Sequence, residues 1–363
     1  MAWSNSPMIA NDSMSRINIP QVSIPIWKDL YEAARIFREI KCWNWMWDSD
    51  IFGIGNPENG EIGYCCVLGR MGEVFGMVTY LGTEGLGEYL RIQSEEIRPG
   101  DTEALFVQNC LRVFFEDRGE LQEPDLQVIK MLGLKFRGRS SWPHFRSLRP
   151  GYFPWYLTES EAKYLTLALR QATQVALRLK KEPDWLAPRG ENQYLVQVPI
   201  RHGDSWDWEN QWLEPSPIEK TTVRTQPIDE LRMRRIIKTI RQRQGIWEAD
   251  CFYTPIVVEE KERPFYPRTV LCADHESGFV LGSEVVEPSE WQSEFPKKML
   301  QWIENHRVLP NELWLRKREA VEILEPLTSR LSIKVQLAKN LEAIDEAQAA
   351  LLEFISKDRR RKR

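Results

Sequence analysis

The side chains here with the clearest capacity for chemistry are cations and aromatic rings set close together. Between Lys130 and Tyr156 the chain reads KMLGLKFRGRSSWPHFRSLRPGYFPWY, where Lys130, Lys135, Arg137, Arg139, Arg146 and Arg149 are interleaved with Phe136, Trp142, Phe145, Tyr152, Phe153 and Trp155. No acid interrupts them. Cations neutralise phosphates and flat rings stack on bases, which is how single-stranded nucleic acid is held. The competing reading is a proline-anchored loop whose rings pack the domain while its arginines face water. A second basic run lies on an expected helix from Ile228 to Gln244, with Arg232, Arg234, Arg235, Lys238, Arg241 and Arg243 around a stripe of Leu231, Ile236, Ile237 and Ile240. A solvated connector is the alternative there. The last residues, Lys357 to Arg363, form a charge block expected to be disordered and to add salt-sensitive affinity for a polyanion. The candidate nucleic-acid contacts are therefore Lys130, Lys135, Arg137, Arg139, Trp142, Arg146, Arg149, Arg234, Arg235 and Lys238.

Other chemistries have less support. The six cysteines, Cys42, Cys65, Cys66, Cys110, Cys251 and Cys272, contain no CxxC pair, and four of them lie in strand-like apolar runs. Free buried thiols in a reducing compartment are expected. The four histidines, His144, His202, His275 and His306, are scattered, so neither a zinc site nor a Ser-His-Asp triad is expected. No GxxxxGK[ST] or GxGxxG opens a helix after a strand, so no nucleotide cofactor is expected, and none of any other kind. Among acids, Asp250 is the one catalytic candidate. Trp206, Trp208 and Trp212, set among acids, suit packing between domains or a patch for a partner.

The frame that must position these groups is long enough for two or three domains, at 363 residues. With 42% hydrophobic and 28% charged residues it is ordinary globular material. Lys plus Arg (49) against Asp plus Glu (53) leaves a net charge of −4, which excludes a uniformly basic coat protein but not a local basic face. No apolar run reaches the length of about 20 residues that a membrane helix needs. The first twenty residues lack a basic region followed by an apolar one, so no secretory signal is read and a cytoplasmic location without a membrane partner is expected.

Periodicity divides the chain into a loose arm (1–22) and an N-terminal α+β region (23–181), itself divisible into 23–97 and 98–181. A connecting segment with the basic helix follows (182–244), then an α/β domain (245–357) and a basic tail (358–363). Helices are expected at about 26–41, 123–132 and 158–181, the last opened by a capping box, Thr158-Glu159-Ser160-Glu161. Trp43, Trp45 and Trp47 alternate at period two, which predicts a strand. A hairpin is expected within YCCVLGRMGEVFGMVTYLG, a short helix in GLGEYLRIQ, a strand over 104–117 and a loop from Gly133 to Leu157. From residue 246 the order is three strands, then alternating helix and strand, then a final helix over 340–357. This describes a mixed sheet covered by helices, and the fold class is α/β (α+β). The hairpin-plus-helix order of the N-terminal region also echoes that of the C-terminal region, as a tandem duplication would, but hairpin-plus-helix units are common enough to explain the echo without one.

The C-terminal order, with its residues, resembles the catalytic core of retroviral integrases and related transposases, which have a ribonuclease-H-like fold. Trp247-Glu248-Ala249-Asp250-Cys251 matches the family's first strand, Trp followed by the first catalytic Asp. Val270 to Gly282 is similar to its hairpin, and Leu309-Pro310-Asn311-Glu312-Leu313-Trp314-Leu315 to its next strand. The resemblance covers roughly 245–355. It implies a two-metal site held by several carboxylates. At the second acidic position, however, stand Arg316, Lys317 and Arg318, which would repel the ions. Candidates for a third acid are Asp345, Glu346 and Glu353. The domain also resembles the C-terminal part of a bacterial family known as a domain of unknown function, which implies no established activity.

The expected function is that of a non-catalytic module binding nucleic acid or another protein, on a degenerate integrase-like scaffold. One alternative is a divergent metal-dependent nuclease using Asp250 with acids such as Asp274 and Glu346. The other is a pure protein-interaction adaptor. Asp274 also suits the start of a hairpin turn, where Asp bonds its own backbone.

Overall fold

A computed structural model describes residues 21–94, 106–190, 192–203, 205–217, 229–259 and 263–361. The described residues up to 217, with 259 and 263–264, form one compact unit, and 229–258 with 265–361 form another. The arm up to residue 20 and the last two residues of the basic tail lie outside the described residues.

The first unit is a seven-stranded sheet. Its strands are β1 (Phe52–Gly55), β2 (Ile62–Leu68), β3 (Gly76–Leu81), β4 (Cys110–Glu116), β5 (Trp142–Leu148), β6 (Tyr194–His202) and β7 (Ser205–Leu213), in the spatial order β5-β4-β3-β2-β1-β6-β7. Only the β1–β6 pairing is parallel. Helices α1 (Ile24–Ile40) and α4 (Glu159–Leu179) cover one face. Leu30, Ala33, Ala34 and Phe37 of the first and Leu165, Ala168, Leu169 and Ala172 of the second are fully or almost fully buried, and the alanines let the two backbones approach. Helix α2 (Gly82–Gln93) covers the other face with Leu86 and Tyr89 against Tyr64, Tyr80 and Phe114. A short helix α3 (Glu123–Met131) lies between β4 and β5. The capping box at Thr158 forms: Glu161 N–H donates to Thr158 Oγ1 at 3.3 Å and Thr158 N–H to Glu161 Oε2 at 2.8 Å.

Three local expectations change. The tryptophans at 43, 45 and 47 are not a strand. Lys41 turns left-handed (φ 50°), and Cys42–Asn44 form a 3-10 turn. Trp43 is buried there, Trp45 Nε1 donates to the Ala176 carbonyl at 3.0 Å, and Trp47 is exposed under the Arg70 guanidinium. Period two over three residues does not separate a strand from a tight turn. The expected loop over 133–157 contains β5, whose backbone pairs antiparallel with β4 from Trp142 to Leu148 and whose side chains are mostly buried. The segment 182–244, expected to connect domains, is divided: β6 and β7 extend the first sheet beyond β1, with β7 at its edge, and the basic helix packs in the second unit.

The second unit has a five-stranded sheet made of β8 (Ile246–Tyr253), β9 (Arg268–Asp274), β10 (Val280–Val286), β11 (Glu312–Leu315) and β12 (Lys334–Leu337). The order is β10-β9-β8-β11-β12, antiparallel among the first three strands and parallel from β8 outward. Hairpins first and crossover helices later produce this mixture, since parallel neighbours need a crossover. With both sheets mixed and covered by helices, the molecule is α/β (α+β). One face carries Trp247, Ala249 and Cys251 of β8 under α5 (Glu230–Thr239), α6 (Trp291–His306) and α7 (Arg318–Arg330). The other carries Phe252, Leu271 and Ala273 under the start of α8 (Glu342–Arg361). That helix runs on through residues 358–361, so the backbone of the expected basic tail begins as helix.

Among the described residues no helix is long and apolar enough to cross a membrane.

Candidate functional site

Strand β8 decides the site. Alternation places Glu248 and Asp250 on the face opposite Trp247, Ala249 and Cys251, and α8 covers them, leaving Glu248 0% and Asp250 2% exposed. Buried acids need partners, and each has them. Glu248 Oε1 lies 2.5 Å from His275 Nδ1, and its Oε2 accepts the Ile344 N–H at 3.1 Å in the first turn of α8. A carboxylate at that place satisfies a donor the helix cannot satisfy itself and opposes the positive end of the helix dipole. His275 in turn packs against Trp314, with ring centroids 4.4 Å apart and the planes tilted by 50°.

Asp250 meets cations. The parallel register pairs Ala249 with Leu315, so one step further along Arg316 stands beside Asp250. Arg316 Nε is 3.7 Å from Asp250 Oδ2, an ion pair beyond hydrogen-bond reach, and Arg316 Nη2 donates to Asp345 Oδ1 at 2.5 Å. The guanidinium thus lies between a carboxylate of the central strand and one of α8. Lys317 Nζ donates to the Cys251 carbonyl at 3.0 Å, and Asp250 Oδ1 accepts the Cys251 N–H at 2.8 Å. Burial pushes the Asp250 carboxyl above its ordinary value. The Lys317 ammonium, the Cys251 N–H and the Arg316 guanidinium pull it back only in part.

These residues do not fit the pair of divalent ions that an integrase-like core implies. Two acids face a fixed guanidinium whose Nε is buried without a hydrogen-bond partner. A cation already occupies the place that ions would need. Among the described residues no three His, Cys, Asp or Glu side chains are grouped so that they could hold a metal. Asp274 is a turn residue: its Oδ1 accepts Ser277 N–H at 2.9 Å and Ser277 Oγ at 2.6 Å, and Gly278 follows at φ +68°. Glu346 is exposed on α8, and Glu353 pairs with Lys357 one turn later.

The expected nucleic-acid contacts separate into two groups. Arg146 is not available to a phosphate. It is 4% exposed, binds both Asp125 oxygens at 2.8 Å and lies over the Tyr156 ring at 4.5 Å, because its strand directs it inward. The rings do not form a stacking platform either. Phe145, Phe153 and Trp155 are buried, and Trp142 is half-buried against Phe136. Arg149 is exposed but tied to Glu161 at 2.9 Å. Lys130, Lys135, Arg137 and Arg139 are exposed. On α5, Met233 and Ile236 are buried, while Arg234, Arg235 and Lys238 face outward. Arg232 instead pairs with Glu304 at 2.7 Å, and Arg243 donates to the Leu331 carbonyl at 2.7 Å and the Ser332 carbonyl at 3.0 Å.

Sequence reading missed Glu248 and His275. The signal was present: an acid two residues before Asp250 must share its face of the strand.

Comparison with known proteins places the two regions in separate groups. Residues 27–197 match the family described as Domain of unknown function (DUF7309), and residues 232–352 that described as Domain of unknown function (DUF6930). No curated protein matches the chain. Among solved structures, the HTLV-2 integrase catalytic core domain in complex with magnesium (trimeric form) is similar over 32% of this chain and 72% of its own, at 15% identity and a TM-score of 0.25. A likeness that slight carries no argument about function.

Proposed function

We propose that this chain is a binding protein, and that its C-terminal unit is a scaffold of integrase-like order in which a charge triad stands where a metal site would be. The observation that carries the reading is the position of Arg316 between Asp250 and Asp345. A guanidinium cannot lose its charge near neutral pH, so it repels divalent ions rather than releasing its place to them. The partner is a polyanion, most simply nucleic acid. Arg234, Arg235 and Lys238 project from one helix whose other side is anchored in the core, which supports a fixed row of phosphate contacts. Lys130, Lys135, Arg137 and Arg139 offer a second exposed basic segment in the other unit.

Labelled single- and double-stranded oligonucleotides, incubated with the full chain at rising salt and with Mg²⁺ or Mn²⁺, test this. Retention that falls as salt rises, without cleavage, is expected. Changing Arg234, Arg235 and Lys238 together to Gln should lower the salt slope by roughly 2 to 3. Cleavage abolished by Asp250→Asn would establish a nuclease instead. No retention near physiological ionic strength would leave a protein-interaction adaptor.

A further inference from the structure

The first unit contains a cavity of about 380 Å³ that the basic surfaces do not touch. The chain between β1 and the preceding turn, helix α2, the segment after α4 and the β6–β7 hairpin all contribute to it. Three rings line it: Tyr89, Tyr194 and Trp212. Two are held in place. Tyr89 OH donates to the Asp48 carbonyl at 3.0 Å, and Tyr194 meets the buried Tyr64 edge-on with centroids 5.5 Å apart. Two carboxylates, Asp50 and Asp184, line the same space, and no lining residue is a cation. Asp50 is oriented by the Trp47 N–H, which donates to its Oδ2 at 2.7 Å.

We infer that this cavity is a binding site for an alkylguanidinium group. Ring faces attract a cation and carboxylates accept its N–H donors, so walls that hold both and include no Lys, Arg or His favour a donor-bearing cation over a neutral or anionic ligand. A planar guanidinium satisfies both at once: it lies flat on a ring and bonds an acid in its own plane. The chain supplies an instance of its own, since the Arg189 guanidinium lies 5.3 Å from the centroid of Trp212. A quaternary ammonium fits less well, having no donors for the two acids. The volume is large enough to admit an alkylguanidinium, free or as an arginine side chain.

Isothermal titration of the full chain with agmatine tests the site. A neutral alkylurea of the same length serves as the control, and an acetyl-Gly-Arg-Gly-amide peptide as a second arm. Saturable binding of agmatine is expected, with the alkylurea at least about tenfold weaker. Asp184→Asn, in a surface turn, should weaken agmatine about tenfold while leaving the thermal unfolding profile unchanged. Trp212→Leu should weaken it in the same direction. Agmatine binding with or without the peptide supports the site, and the peptide result tells a free ligand from an arginine side chain. Equal binding of the alkylurea, unchanged affinity in Asp184→Asn, or no binding of either guanidinium overturns it. Because the readout involves no oligonucleotide, its failure is separate from failure of the polyanion reading.

Discussion

Glu248, wholly buried in the central strand of the second sheet, accepts a hydrogen bond from the backbone N–H of Ile344, 96 residues later. One carboxylate thereby joins the strand, the first turn of α8 and, through its other oxygen, His275. The final helix is docked by a polar contact beneath an apolar rim of Leu341, Ala343 and Ile344.

Glu248→Ala should therefore destabilise the second unit by about 2–4 kcal/mol, because it leaves a buried helix N–H without its acceptor and takes the partner from a half-buried imidazole. Glu248→Gln, which can still accept from Ile344, should cost less. Urea unfolding followed by tryptophan fluorescence measures this, with the two units allowed separate transitions. Equal costs for the two variants would contradict the capping role.

Asp250 should behave in the opposite way. Its folded carboxyl is raised above the ordinary value of 3.8, so the folded state binds more protons than the unfolded one. Stability contributed by this group is complete below the unfolded value and is lost as pH rises through the folded one. Asp250→Asn removes the buried charge. At neutral pH the variant should be as stable as the parent or more so, with the advantage shrinking as pH falls toward 4. A parent clearly more stable than the variant at pH 7 would show that the ion pair with Arg316 outweighs burial.

Arg146 and Arg234 separate structure from surface. Arg146→Met strands Asp125 in the interior and should cost about 3–5 kcal/mol. Arg234→Gln, on the outer face of α5, should change stability by less than about 0.5 kcal/mol and should reduce oligonucleotide retention. Chemical unfolding and retention of the same two variants give the comparison.

All six thiols are buried. Burial pushes Cys42, Cys65 and Cys110 up to about 12 and Cys251 to about 11, with Cys66 and Cys272 also raised. A disulfide reagent at pH 8 should label none of them in the native chain and all six in denaturant, since thiolate is the reactive form. Labelling of a native thiol would reveal local opening.

Much of the frame was legible along the chain because it is written in local signals. Thr158 and Glu161 cap one another three residues apart, and the alternation through Trp247, Ala249 and Cys251 marks which side of β8 is apolar. The order of strands and helices after residue 246 likewise follows from spacing, as does the cation at position 316. What spacing cannot specify is the partner of a side chain. That Arg146 turns inward to Asp125 while Arg139 stays in water, or that Glu248 meets a helix begun 94 residues further on, depends on contacts between distant segments. Local sequence sets the period and the cap; only the closed sheets decide which charges lose their water, and it is loss of water that makes a charge seek one particular partner.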